Sequence, residues 1–200
     1  MMYSNVDYCK LCYEKEKRAE CYANRYDYMR NNLIDILYYK SSMGDLLLGE
    51  YEGKLCLCDW LKRRDRQAVD QRISRMLQAD FVEKRTPLLE HAIAQLEAYF
   101  AGDREVFDLP LLTVGTPFQK MVWEAVSKIT YASVVSYKNL AEMVGRAKAV
   151  RAVASAVGAN ALSIVIPCHR VLRSDGTLGG YAGGLAAKQR LLEMEKFHVA

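Results

Sequence analysis

Ser163-Ile164-Val165-Ile166-Pro167-Cys168-His169-Arg170-Val171 carries a cysteine and a histidine directly out of three consecutive β-branched residues. Continuous Ile-Val-Ile suits a strand covered on both faces. Pro167, which has no N–H to donate and biases Ile166 towards extended backbone, ends that strand. Cys168 is therefore expected where the chain leaves a rigid element, a common position for reactive groups. A free thiol with a pKa of about 8.5 is mostly protonated at neutral pH, so a nucleophilic cysteine needs a proton acceptor or positive surroundings. His169 and Arg170 follow at once, and Asn160 lies upstream. Spacing alone leaves a packed structural cysteine as the alternative, because neighbours on a strand point to opposite faces and only a turn at Pro167 lets the pair cooperate.

The chain has 200 residues, 51% hydrophobic and 26% charged, which is enough for one large domain or two small ones with real cores. No apolar run reaches the length of a membrane span, and residues 1–10 lack the apolar core of a signal peptide. Six cysteines without an export signal point to thiols in a reducing, cytoplasmic setting rather than a disulfide framework. The net charge of +4 is uneven: residues 113–200 carry 11 Lys and Arg against 5 Asp and Glu, a net of +6. A half that faces a polyanion would show this asymmetry, although unrelated domains reach it too.

Residues 1–32 hold Cys9-x-x-Cys12 and Cys21, which lack a complete zinc ligand set unless Cys56 or Cys58 joins them, and no metal is expected. Residues 33–39, 45–51 and 54–60 read as strands, the last two forming a hairpin at Glu52-Gly53. Lys62-Arg63-Arg64-Asp65-Arg66 reads as the solvated start of a helix running towards Gln78. Thr86-Pro87 opens another helix that stops near Gly102, and Thr116-Pro117-Phe118-Gln119 is a capping box opening a third. Ser136 caps a helix over 137–144, Gly145 breaks it, and a helix over about 148–157 follows, in the pattern of a helix-turn-helix. The second of these helices is rich in small residues (Ala149, Ala152, Ala154, Ser155, Ala156), which allow close approach to a partner helix or to a nucleic-acid groove.

Pro167-Cys168-His169-Arg170-Val171, with Asn160 before it and Gly179-Gly180-Tyr181-Ala182-Gly183-Gly184-Leu185 after it, resembles the active-site signature of the O6-alkylguanine-DNA alkyltransferases, the methylated-DNA–protein-cysteine methyltransferases. The likeness covers nearly all of residues 113–195 and is looser over 33–112. It implies an α/β protein: a small N-terminal α/β domain, ribonuclease H-like, over 33–112, and a mostly helical C-terminal domain over 113–200 with a winged helix-turn-helix-like DNA-binding motif. Residues 1–32 fall outside it as an extension.

The same resemblance implies that Cys168 accepts an alkyl group from O6-alkylguanine, and also from O4-methylthymine, in one irreversible step without a cofactor. His169 would take the thiol proton through a water, Glu195 would orient the imidazole, Asn160 would brace the site and Tyr137 would donate to the departing guanine. Arg151 would fill the space of the flipped nucleotide, with Ala152 and Ser155 beside it on a helix in the minor groove. Val171, Tyr181 and Ala182 would contact the base. The implied partners are double-stranded DNA and its flipped alkylated guanine, with no membrane and a monomeric chain. Ala161 departs from the family in standing where a proline commonly follows the asparagine, and Ala182 removes a hydroxyl that some members have. A lesion-flagging relative without chemistry, a helix-turn-helix regulator and a cysteine hydrolase are the competing classes; the first lacks the acceptor cysteine that this chain has.

Overall fold

The computed structural model describes residues 32–197, and the extension with Cys9, Cys12 and Cys21 lies outside them. Leu33–Ser41 (β1), Gly44–Tyr51 (β2) and Lys54–Trp60 (β3) form antiparallel pairs, and Asp80–Glu83 (β4) joins β1 in parallel, giving the order β3-β2-β1-β4. Strand β4 has four residues with both ends charged, too short for alternation to announce it in advance. The two-residue period of β1 sends Ile34 and Ile36 to one face and Leu37 to the other. Helix α1 (Arg66–Leu77) covers the first face with Val69 and Ile73. Helix α2 (Pro87–Ala101), capped by Thr86 accepting from the Leu89 amide at 3.2 Å, covers the second with Leu89, Ala92, Leu96 and Tyr99.

That second face is continuous with the core of the helical half. Helix α3 (Pro117–Ser127) opens with the expected capping box between Thr116 and Gln119. Helix α4 (Tyr137–Met143) is capped by Ser136. After a turn with Gly145 at φ 68° and a 3₁₀ turn over Ala147–Ala149 comes helix α5 (Val150–Gly158). Val122, Trp123, Val126, Leu140, Val153, Ala156 and Val157 pack together, and the Trp123 indole donates to the Ala156 carbonyl at 2.7 Å. The short strands Val135–Ser136 (β5) and Val171–Leu172 (β6) pair in parallel and tie the start of α4 to the chain just after Cys168. Helix α6 (Gly184–Phe197) closes the fold. Among the described residues no helix is long and apolar enough to cross a membrane.

Two expectations fail. Residues 164–166 are not a buried strand: Ile164 has φ 74°, left-handed backbone that a β-branched residue rarely adopts, and residues 162–166 form a tight turn. Nor are residues 62–66 simply solvated, because Arg63 is buried against the C-terminal half between the exposed Lys62, Arg64 and Asp65.

Candidate active site

Asn160 explains why Ile-Val-Ile does not extend. Its Oδ1 accepts from the Leu162 amide at 2.9 Å and its Nδ2 donates to the Ile166 carbonyl at 3.0 Å, so one buried side chain bonds backbone groups that a ladder would otherwise need. The same Nδ2 lies 3.4 Å from Cys168 Sγ. Cys168 then begins a 3₁₀ turn, Cys168–Arg170, and the His169 and Arg170 side chains that follow it are buried.

Those two side chains meet Glu195, one turn from the end of α6. His169 Nε2 is 2.8 Å from Glu195 Oε1, Arg170 Nε lies 3.1 Å from each carboxylate oxygen, and Arg170 Nη2 is 3.0 Å from Oε1. The Tyr99 hydroxyl donates to Oε1 at 2.5 Å and the Ala132 amide to Oε2 at 3.2 Å. The carboxylate is thus almost fully enclosed and accepts from four residues.

Burial would raise the Glu195 pKa, yet the hydrogen bond and charge of His169 together with Arg170 and Tyr99 hold it down at about 2. A carboxylate at neutral pH can only accept, so His169 carries its proton on Nε2 and leaves Nδ1 bare. Among the described residues Nδ1 has no hydrogen-bond partner. Burial lowers the His169 pKa below its ordinary value, against the pull of Glu195, so the ring is a neutral base.

The Cys168 thiol is protonated at rest. Burial pushes the Cys168 pKa up; Asn160, Lys188 and Arg63 oppose this, and Asp59 adds to it. Lys188 is fully buried, donates to the Val171 carbonyl at 2.5 Å and has its pKa brought down to about 8 by that burial.

Cys168 is 5% exposed, at the base of a cleft of about 10 Å³ that it shares with Asn160, Gly180, Tyr181 and Ala182, room for roughly one water molecule. The cleft adjoins a groove of about 610 Å³ lined by Tyr137, Ser155, Arg173 and Tyr181 among others. Gly179 keeps this wall thin, since a Cβ there would sit 2.7 Å from the Tyr137 ring; a Cβ on Gly183 would fall 2.4 Å from Trp60. Above the groove, α5 buries Val153, Ala156 and Val157 and exposes Arg151, Ala152 and Ser155, with Arg146 and Lys148 exposed just before it.

Of the residues singled out in the sequence, Cys168, His169, Glu195 and Asn160 converge, Tyr137, Ser155, Tyr181 and Ala182 line the cavities, and Val171 presents its carbonyl to Lys188. Arg151 and Ala152 stand on the outer face of α5 and reach none of the four. Sequence reasoning missed Tyr99, Trp60, Lys188 and the role of Arg170. Tyr99 left one signal: a tyrosine three residues after Leu96 on the apolar face of a helix needs a partner for its hydroxyl. Trp60 stacks edge-on against Tyr181 at 5.8 Å from behind the glycine-rich loop.

Glu195 sets an acid limit. Its folded pKa lies below the ordinary value of 4.5, so its stabilisation is complete above about pH 4.5 and disappears as pH falls towards 2, a loss of about 3 kcal/mol. His169, also lowered, subtracts stability in the same direction at higher pH, below its ordinary value of 6.5. Urea titrations at successive pH values should show both declines in the native chain, and Glu195→Gln should lack the lower one.

Residues 36–113 match the 6-O-methylguanine DNA methyltransferase ribonuclease-like domain and residues 117–197 the 6-O-methylguanine DNA methyltransferase DNA binding domain. The methylated-DNA–protein-cysteine methyltransferase of Methanosarcina barkeri is 42% identical over 163 residues, 80% of this chain and 98% of the relative. The constitutive methylated-DNA–protein-cysteine methyltransferase of Bacillus subtilis is 44% identical over 168 residues, 80% of this chain and 95% of the relative. The crystal structure of Mycobacterium tuberculosis OGT in complex with DNA superposes with a TM-score of 0.69 at 34% identity, covering 83% of this chain and 94% of that one. The M. tuberculosis O6-methylguanine methyltransferase gives 0.71 at 34%, covering 84% and 95%. With two domains in family order, a cysteine beside a neutral imidazole and a carboxylate, and relatives matched over nearly their whole length, the chain belongs to the methylated-DNA–protein-cysteine methyltransferase family.

Proposed function

We propose that this protein repairs DNA by moving the alkyl group of O6-alkylguanine, and that of O4-methylthymine, onto Cys168 in a single irreversible turnover. The observation that carries this reading is the convergence of Asn160, Cys168, His169 and Glu195 beneath a groove roofed by the exposed small-residue face of α5. Residues 33–112 support the chemistry and residues 113–200 perform it. Helix α5 enters the minor groove, where Ala152 and Ser155 permit close approach and Arg146 and Lys148 meet phosphates. Arg151 fills the stack once the damaged base turns out, offsetting part of an extrusion cost of a few kcal/mol. The cleft at the sulfur is too small for a purine, so the base enters from the adjoining groove and the loop over residues 179–184 yields to it.

The proton of the Cys168 thiol passes through a water to His169 Nδ1, and Glu195 stabilises the imidazolium that forms. The sulfur attacks the alkyl carbon as the bond from that carbon to O6 breaks. Tyr137 donates to the departing guanine, which ends with the proton the thiol gave up, while Val171, Tyr181 and Ala182 hold the base. A thioether offers water no leaving group, so each monomer acts once, with no cofactor. Buried free thiols at Cys56, Cys58 and Cys168 suit the reducing cytoplasm as its place of work.

Incubation with excess duplex containing O6-methylguanine should add one methylene to the intact mass, with a plateau at one equivalent per chain. Continued consumption of lesion beyond one equivalent, or an unchanged mass, would overturn the reading; Cys168→Ser should gain nothing.

A further inference from the structure

The C-terminal end of α5 and the turn that carries Asn160 are gripped by the other domain. Arg63, on the loop after β3, donates from Nη2 to the Gly158 carbonyl at 2.8 Å and from Nη1 to the Asn160 carbonyl at 3.0 Å. Arg72 on α1 donates to the Ala159 carbonyl between them at 2.8 Å, its guanidinium lying over the Trp123 ring. The Cys58 amide donates to the Ala161 carbonyl at 2.8 Å. Ser163 Oγ donates to Asp59 Oδ1 at 2.8 Å, and Asp59 Oδ2 holds Arg63 at 2.5 Å and Arg66 at 3.1 Å. Every residue from 158 to 161, and residue 163, is therefore fixed from outside its own domain.

Solvent would satisfy such helix-end carbonyls at no cost. Here a buried carboxylate and a guanidinium 1% exposed at its side chain do so, an arrangement whose desolvation penalty makes it a poor source of stability and a good source of fixed geometry. The geometry it fixes is that of Asn160, whose amide touches the sulfur. We propose that Arg63, braced by Asp59, is a positioning residue for alkyl transfer: it holds residues 158–160, and through the Asn160 side chain the Cys168 sulfur, in the reacting arrangement. This rests on the repair reading above and extends it to the N-terminal domain.

The charged and titratable groups around Cys168 come from every side: Arg63 and Asp59 from the N-terminal domain, Lys188 from α6, and the neutral Tyr137 from α4, Tyr181 from the glycine-rich loop and His169 next in the chain. Arg63 lowers the thiol pKa and Asp59 raises it. Loss of Arg63 alone therefore leaves a net shift upwards, whereas lysine keeps the charge but has one nitrogen in place of the planar fork that meets the two carbonyls and Asp59 from separate nitrogens.

The test uses the full chain and two readouts. Single-turnover reactions with the O6-methylguanine duplex give the rate at saturating DNA and the half-saturating concentration. Iodoacetamide labelling of the Cys168 peptide across pH, with no DNA present, gives the midpoint of thiol ionisation. Arg63→Met should slow the saturated rate by about 10- to 100-fold, the scale of a small misplacement of reacting groups, with half-saturation within about twofold of the native value and the labelling midpoint raised. Arg63→Lys should slow transfer while leaving the midpoint in place. Arg72→Gln, which leaves the buried pair intact, should slow the saturated rate to a smaller extent and serves if Arg63→Met does not fold. A folded Arg63→Met with a native saturated rate, or a loss confined to half-saturation, overturns the proposal. If the native chain ignores the lesion, the repair reading falls, and an Arg63-dependent labelling midpoint still supports the clamp.

Discussion

Glu195→Gln will slow methyl transfer by about 10²- to 10⁴-fold, the range ascribed to positioned proton transfer, and will lower stability by about 3 to 5 kcal/mol. Both effects have one origin. The carboxylate accepts from His169, Arg170, Tyr99 and the Ala132 amide. A neutral amide leaves the Arg170 guanidinium buried without a counter-charge; its other hydrogen bond, to the Ile129 carbonyl, does not replace one. The amide also no longer requires the imidazole proton on Nε2 or stabilises an imidazolium, so His169 loses both its tautomer and its strength as a base. The rate loss should persist at low temperature where the variant is fully folded. A folded Glu195→Gln with native single-turnover kinetics would remove the carboxylate from the chemistry.

Asn160→Ala carries the second large expectation. It removes the partner of the buried Leu162 amide, an unsatisfied group that costs about 1 to 3 kcal/mol, and one of two donors to the Ile166 carbonyl, which keeps the Cys168 amide at 2.7 Å. It also removes the neutral donor at the sulfur, which among the groups opposing burial has the largest effect on the thiol. Among the described residues no other side chain bonds the backbone of the turn at Ile164, which is held at positive φ. We expect a lower thermal midpoint, a higher pH for Cys168 labelling and slower transfer; Asn160→Asp should keep the Leu162 bond while losing the donor to the sulfur and to the Ile166 carbonyl. An Asn160→Ala protein with a native labelling midpoint would contradict this.

The parts of the fold that local chemistry determines were legible: Thr86, Thr116 and Ser136 cap the helices they announce, Gly145 breaks the helix-turn-helix, and Glu52-Gly53 turns the hairpin. The exposed face of α5 likewise follows from its own periodicity. What escaped depends on partners far along the chain. Ile-Val-Ile has every local reason to be a strand, and the Asn160 side chain, the bridge to Cys58 and the bond from Ser163 to Asp59 hold it in a turn instead. Arg63 looks like one member of a solvated basic run until a carbonyl 97 residues away is placed against it. Tyr99 joins Glu195 across 96 residues. His169 and Arg170 are the sequence neighbours of the thiol, yet the 3₁₀ turn sends both to Glu195 and burial governs the sulfur.

Chemistry at one sulfur is the central claim, and peptide mass analysis of all six cysteines after reaction with O6-methylguanine duplex tests it most directly. A methyl thioether on Cys168 alone, in step with the guanine restored in the DNA, is the predicted result. Lesion repair that leaves Cys168 unmodified, or methylation distributed over the other cysteines, would contradict it.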